Sequence, residues 1–161
     1  MRAALFLMIV AGVGVGALVP VKHNPPARAA TAVAGEAKDE TPRDTVIERD
    51  SNGHFFAYGD VGGQQVRFLI DTGADMVALT VEDARRAGVK FNPYEFEYIG
   101  TGASGPIRGE RVMLDSVSLD GKKIMDVHAA VIEGLDVSLL GQSYLRRIDA
   151  VQLNGDKMVL K

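Results

Sequence analysis

The sequence predicts an all-β domain, closed into a barrel or sandwich, with one or two short helices. Three observations predict it. Apolar residues recur in short strand-like runs, many of them rich in β-branched and aromatic residues. Turn pairs such as Gly62-Gly63, Asp120-Gly121 and Asn154-Gly155 break these runs at roughly the 8–12-residue spacing of sandwiches and barrels. Helical signals are confined to two short stretches, and no internal repeat is present.

The N-terminal part is of a different kind. Arg2 precedes Ala3–Val19, an uncharged and mostly apolar run, and Lys22, His23 and Arg28 follow it. Residues 1–20 therefore read as a transmembrane anchor or a signal segment. The run is near the lower limit of the roughly 17–25 residues that span a bilayer, which favours a retained anchor. Ala27-Arg28-Ala29 offers a small-x-small site for the cleaved alternative. A buried helix of the domain fits poorly, because the run is apolar on every face and leads into a polar linker. The expected location is the inner (cytoplasmic) membrane, single-pass, with the domain on the extracytoplasmic, periplasmic side. Cleavage would make the domain secreted. Arg2 supports that orientation, while Lys22 and Arg28 oppose it. Residues 21–44 include "KHNPPARAATAVAGEAKDETPRD", which holds no period of 2 or 3.6, so they read as a disordered linker. The folded domain is expected over residues 45–161.

Within it, "HFFAYGDV" and "QQVRFLI" flank Gly62-Gly63 and predict a hairpin. "TVEDARRAGV" predicts a short helix capped by Thr80, with Asp83 completing a capping box and Gly88 as the left-handed stop. "EFEYI" leads into the glycine-rich tip "GTGASGP", and "IRGERVMLDSVSL" turns at Asp120-Gly121 into "KKIMDVHAAVI". "LDVSLLGQSYLRRI" holds the second helix, and "DAVQL" and "DKMVLK" form a last hairpin around Asn154-Gly155.

Composition narrows the function. A net charge of −3 without a concentrated basic face gives no footprint for nucleic acid. No Cys is present among the 161 residues, which excludes disulfides, thiol nucleophiles and Cys-based zinc sites. His23, His54 and His128 lack ligand spacing, so neither metal nor cofactor is expected. Ser104 and Ser143 have no His-Asp context, and "TGASG" lacks the Gly-Lys-Ser/Thr ending of a phosphate loop. "RRAG" and "LRRI" read as solvated helix faces.

Asp71 stands out. It ends the apolar run Phe68-Leu69-Ile70, turns at once through Thr72-Gly73-Ala74, and precedes another apolar run, Val77-Ala78-Leu79. An acid so placed is expected to be at least partly buried, which is costly unless it is paired, hydrogen-bonded or protonated. Alone, the triplet is also compatible with a β-turn aspartate. Further along come the glycine-rich hairpin Ile99–Pro106 and then Leu139-Leu140-Gly141 opening a helix.

In this order, "LIDTGAD", a glycine-rich hairpin and "LLG" resemble the retropepsin-like aspartic proteases, single-domain relatives of retroviral proteases. With the apolar N-terminus, the chain is similar to bacterial membrane-anchored members. The resemblance covers about His54 to Lys161 and implies a peptide hydrolase of the retropepsin fold. Such chemistry needs two carboxylates sharing a proton, because like charges about 3 Å apart cannot both ionise. One D-T-G triplet per chain then implies a homodimer pairing two copies of Asp71. The resemblance further implies that Thr72 braces the two loops across the dimer, and that Gly73 contacts substrate backbone with Ala74 as the small residue beside it. Asp75 would contact substrate or partner. Ile99, Gly100, Thr101, Gly102, Ala103, Ser104 and Gly105 would form a flap over a bound peptide, and Leu139, Leu140 and Gly141 would pack behind the catalytic loop.

Two departures stand out. Retroviral members commonly place an arginine after the apolar-apolar-Gly motif, paired with the acid at the Asp75 position, whereas Gln142 stands here, with Arg146 and Arg147 as substitutes nearby. The chain also ends in a hairpin rather than a single interface strand, so the dimer is expected to be built differently. The competing readings are a catalytically inactive peptide-binding β-module and an envelope scaffold.

Overall fold

A computed structural model describes residues 41–102 and 105–161. The expected anchor and residues 21–40 of the expected linker, His23 among them, therefore lie outside the described residues, as do the flap-tip residues Ala103 and Ser104.

Among the described residues, ten strands form two sheets. Strand β1 (Thr45–Glu48), β9 (Val151–Asn154) and β10 (Lys157–Leu160) make a three-stranded antiparallel sheet in the order β1-β10-β9. The others are β2 (Phe56–Val61), β3 (Gln64–Ile70), β4 (Val77–Thr80), β5 (Glu97–Gly102), β6 (Gly105–Leu119), β7 (Lys122–Ile132) and β8 (Ser138–Leu140). Their order is β2-β3-β8-β4-β7-β6-β5, and β6 pairs back onto β2 through Asp60↔Ser118 and Val61↔Val117. That return closes a six-stranded barrel and leaves β5 outside the ring, so the all-β barrel expected from the sequence is the fold.

Alternation explains the core. Val66, Phe68 and Ile70 of β3 point inward with Ala57, Val61, Val117, Leu119 and Val127. Central β4 is buried at Val77, Ala78 and Leu79. Among the described residues the α-helices are short, α1 over Val81–Arg86 and α2 over Gln142–Leu145, with a 3-10 turn at Pro93–Glu95. Thr80 Oγ1 accepts from Asp83 N at 3.0 Å, and Gly88 adopts φ +68° as the left-handed stop. The reciprocal half of the expected capping box runs through a third residue. Thr80 N donates to Ser138 Oγ (3.1 Å), which donates to the Asp83 carboxylate (2.6 Å). Burial works to raise the Asp83 carboxyl, but hydrogen bonds from Ser138, Arg86 and Thr80 outweigh it and hold it below the usual range.

The last hairpin differs slightly from expectation. Asn154 pairs with Lys157, so its two turn residues are Gly155 and Asp156 rather than Asn154 and Gly155. Gly155 takes the positive φ (+58°) that a tight hairpin turn needs.

Candidate active site

Strand β8 lies between β3 and β4, parallel to β3 (Leu69↔Leu139, Ile70↔Leu140) and antiparallel to β4 (Ala78↔Leu139). The loop 71–76 joins β3 to β4, so it must arch over the end of β8. That topology links the two sequence motifs. Asp71 N donates to Leu140 O at 3.1 Å, and Gln142 N donates to Ala74 O at 2.8 Å.

Gly141 sits where β8 leaves from beneath the arch. A Cβ there would lie 2.2 Å from Met76 O and 2.8 Å from Ala74 O, so no larger residue fits without moving the loop backbone. The glycine of "LLG" is therefore a close-approach residue, and Leu140 beside it is fully buried.

The arch is also held from its flank. Gln142 Nε2 donates to Thr72 O at 2.7 Å, while its Oε1 accepts from Arg146 Nε at 3.1 Å. Ser143 Oγ accepts from Val77 N (2.9 Å) and donates to His128 O (2.6 Å), tying α2 to β4 and β7. Tyr144, fully buried, donates to Lys122 O at 2.8 Å, and burial pushes its hydroxyl well above the ordinary phenol range.

Asp71 itself is half-buried, as expected, with one carboxylate oxygen accepting from Gly73 N at 2.9 Å. Thr72, Gly73 and Asp75 are exposed and Ala74 is half-buried. The carboxylate thus sits at an open surface on a fixed backbone. Asp75 forms no ion pair among the described residues. Arg146 serves Gln142, and Arg147 Nη1 donates to Asp126 O (3.1 Å), so neither replaces the missing partner of Asp75.

The described flap residues lie on the β5–β6 hairpin. Ile99 and Gly100 are half-buried, Thr101 and Gly102 exposed, and the pairing shifts register between Tyr98 and Gly100. Gly105 adopts φ +115° on the return strand. Arg111 Nη2 donates to Ile99 O at 2.7 Å, and Tyr98 Oη and Thr101 Oγ1 are 2.7 Å apart. His54 and His128 are both exposed, and among the described residues no three His, Asp or Glu side chains cluster as metal ligands.

Sequence reasoning missed the work of Gln142, Ser143 and Ser138. Their only signal was position, since all three flank the Leu139-Leu140-Gly141 motif and their partners are distant in sequence.

The Aspartyl protease family model matches residues 57–144, more than half of the chain. A protein of Rickettsia prowazekii (strain Madrid E), itself described as uncharacterized, is 32% identical over 116 residues, covering 71% of this chain and 50% of that protein. An uncharacterized Sinorhizobium protein encoded in the cobV 5′ region is 33% identical over 140 residues, 84% of this chain and 58% of that one. The chain thus spans about half the length of the curated relatives it matches. Among solved structures, a retropepsin-like aspartic protease from Rickettsia conorii superposes with a TM-score of 0.62 at 32% identity, covering 73% of this chain and 89% of that one. With the D-T-G arch and its glycine seat in this arrangement, the chain belongs to the aspartyl protease family, as a retropepsin-like member.

Proposed function

We propose that this chain is an aspartic endopeptidase that hydrolyses peptide bonds of a protein substrate, with Asp71 as its catalytic residue. The observation that carries the reading is a half-buried carboxylate on an open surface, held by a backbone arch that β8 and Gln142 fix from below and beside. One Asp71 per chain makes half of the required pair, so the active form is a homodimer with the two carboxylates meeting across a twofold axis. One carboxylate, ionised, takes a proton from water. The other, protonated, donates a hydrogen bond to the scissile carbonyl as the water attacks. Thr72 and Gly73 flank that axis, Asp75 meets substrate or partner, and the β5–β6 hairpin closes over the bound peptide.

Asp71→Asn tests the assignment. The amide is nearly isosteric but cannot take the proton, so peptide cleavage should fall by roughly 10²–10⁴-fold with circular dichroism unchanged. Unchanged cleavage would remove Asp71 from the mechanism.

We further propose that residues 1–20 hold the protease at the inner membrane with its domain outside the cytoplasm, a reading supported by the apolar run Ala3–Val19. Tethering would raise the effective concentration of two protomers and favour a weak dimer. Alkaline washing of membranes should leave the chain in the pellet, and quantitative release would overturn a retained anchor.

A further inference from the structure

The β5–β6 hairpin changes character at one residue. Glu97 pairs with Gly109 and Tyr98 with Arg108 in regular register, and the ladder resumes at Gly100↔Ile107. Ile99 is therefore an extra residue on β5 with no partner of its own, a bulge at which an edge strand bends.

The two sides of the bulge are held unequally. On the side nearer the 3-10 turn, Arg108 Nη2 donates to the carbonyl of buried Phe96 at 2.7 Å, and Arg108 Nη1 meets Glu133 at 3.1 Å. On the far side Thr101 stands opposite Pro106, which has no N–H to give to the ladder. Thr101 and Gly102 are exposed, and Gly100 has open space where a Cβ would go.

One side chain reaches the bulge itself. Arg111 Nη2 donates to Ile99 O at 2.7 Å, the short distance of a charge-assisted bond. Arg111 lies beyond Gly109, the last β6 residue that β5 pairs, and among the described residues no strand occupies that side of β6 until Val117 meets Val61. Its guanidinium thus reaches back along an open edge to the residue that the ladder skips. Glu110, its neighbour on β6, accepts from Asn92 N instead (2.7 Å).

We propose that Arg111 is a positioning residue for peptide hydrolysis, setting through Ile99 O the angle at which β5 continues past its bulge. Gly100, Thr101 and Gly102 follow that angle, and with them the face that the hairpin offers to a bound peptide. Gly102 lies three residues past the pivot, about 10 Å at extended spacing, so a 10° change at Ile99 moves it by about 2 Å. Displacements of about 1 Å are enough to cost a reaction up to about 100-fold. Arg111 acts through the backbone of β5 and touches neither substrate nor water. The proposal rests on the reading that the β5–β6 hairpin closes over a peptide at Asp71, and it names the side chain that aims the hairpin.

A chain with no Cys makes the test clean. In the full chain in detergent, a nitroxide on Thr101→Cys reports the order of the hairpin, and one on Lys123→Cys, exposed on β7, serves as the reference. Arg111→Met keeps the aliphatic stem and removes the donor, whereas Arg111→Lys keeps a donor. Arg111→Met should at least double the mobile fraction of the Thr101 spectrum and leave the Lys123 spectrum unchanged, and Arg111→Lys should restore most of the order. Without the labels, Arg111→Met should raise KM at least about fivefold with kcat within about twofold. A merely structural role would lower the folded fraction, which reduces apparent kcat at constant KM. An unchanged Thr101 spectrum, equal loosening at both labels, or an Arg111→Lys chain as loose as Arg111→Met would overturn the proposal. A loosened Thr101 label in a chain whose native form cleaves no peptide would keep Arg111 as the residue that sets β5 and reject the protease assignment. Peptide cleavage by the native chain, with KM unchanged in Arg111→Met, would do the reverse.

Discussion

The Asp71 arch and the β5–β6 hairpin are both glycine-bearing loops of the proposed site, yet they are built in opposite ways. The arch is held from three directions, by Leu140 O from β8, by the Gln142 side chain and by Ser143 at Val77. Gly141 beneath it has no room for a methyl group, whereas Gly100 in the hairpin has open space where a Cβ would go. Thr101 and Gly102 of the hairpin are exposed, and its described side-chain ties end at Ile99 and Thr101. A reacting carboxylate must be positioned before substrate arrives, while a cover must move to admit it. The same residue type thus serves close packing beneath one loop and freedom within the other.

The same substitution made beneath the arch and in the hairpin separates the two most sharply. Gly141→Ala should cost about 3–5 kcal/mol in chemical denaturation and abolish peptide cleavage, because the added Cβ overlaps backbone oxygens that cannot retreat. Gly100→Ala should move stability by less than about 0.5 kcal/mol, and similar losses at the two positions would erase the distinction. Next in size, Gln142→Ala removes the hydrogen bond to Thr72 O. It should lower kcat about tenfold with KM little changed, since the arch stays in place but is less well aimed. A loss confined to KM would instead assign Gln142 to substrate binding.

A separate, pH-dependent effect lies at Asp83, which accepts from Ser138 at the start of β8. Its folded carboxyl is held below the ordinary value of 3.8, so its stabilisation is present above that pH and is lost as pH falls through the folded value. Asp83→Asn should cost about 1–2 kcal/mol at neutral pH, from weaker hydrogen bonds to Ser138 and Arg86. The gap from the native chain should narrow below pH 3.8. A gap that is constant across this range would mean that the charge contributes nothing.

Much of the fold was legible because its signals are local. Gln64–Ile70 emerges as β3 residue for residue, and Thr80 and Gly88 bound α1 as their chemistry requires. The Gly155-Asp156 turn lies one residue past the Asn-Gly pair that announced it, because the register is decided by pairing between β9 and β10. The capping box failed to close directly for a similar reason. Ser138, far along the chain, enters between Thr80 and Asp83, and helix spacing carries no trace of it.

A strand-rich domain, a carboxylate at the end of an apolar strand and a glycine poised before a short helix are all properties of neighbouring residues and can be read along the chain. Tertiary structure alone decided that β8 threads between β3 and β4, and so turned Gly141 from a helix-opening residue into the seat of the Asp71 arch. It also decided that Gln142 holds that arch where an arginine was expected. These facts depend on which distant segments share a sheet. Long-range pairing is set by how all the apolar faces are buried together, and no local stretch encodes it.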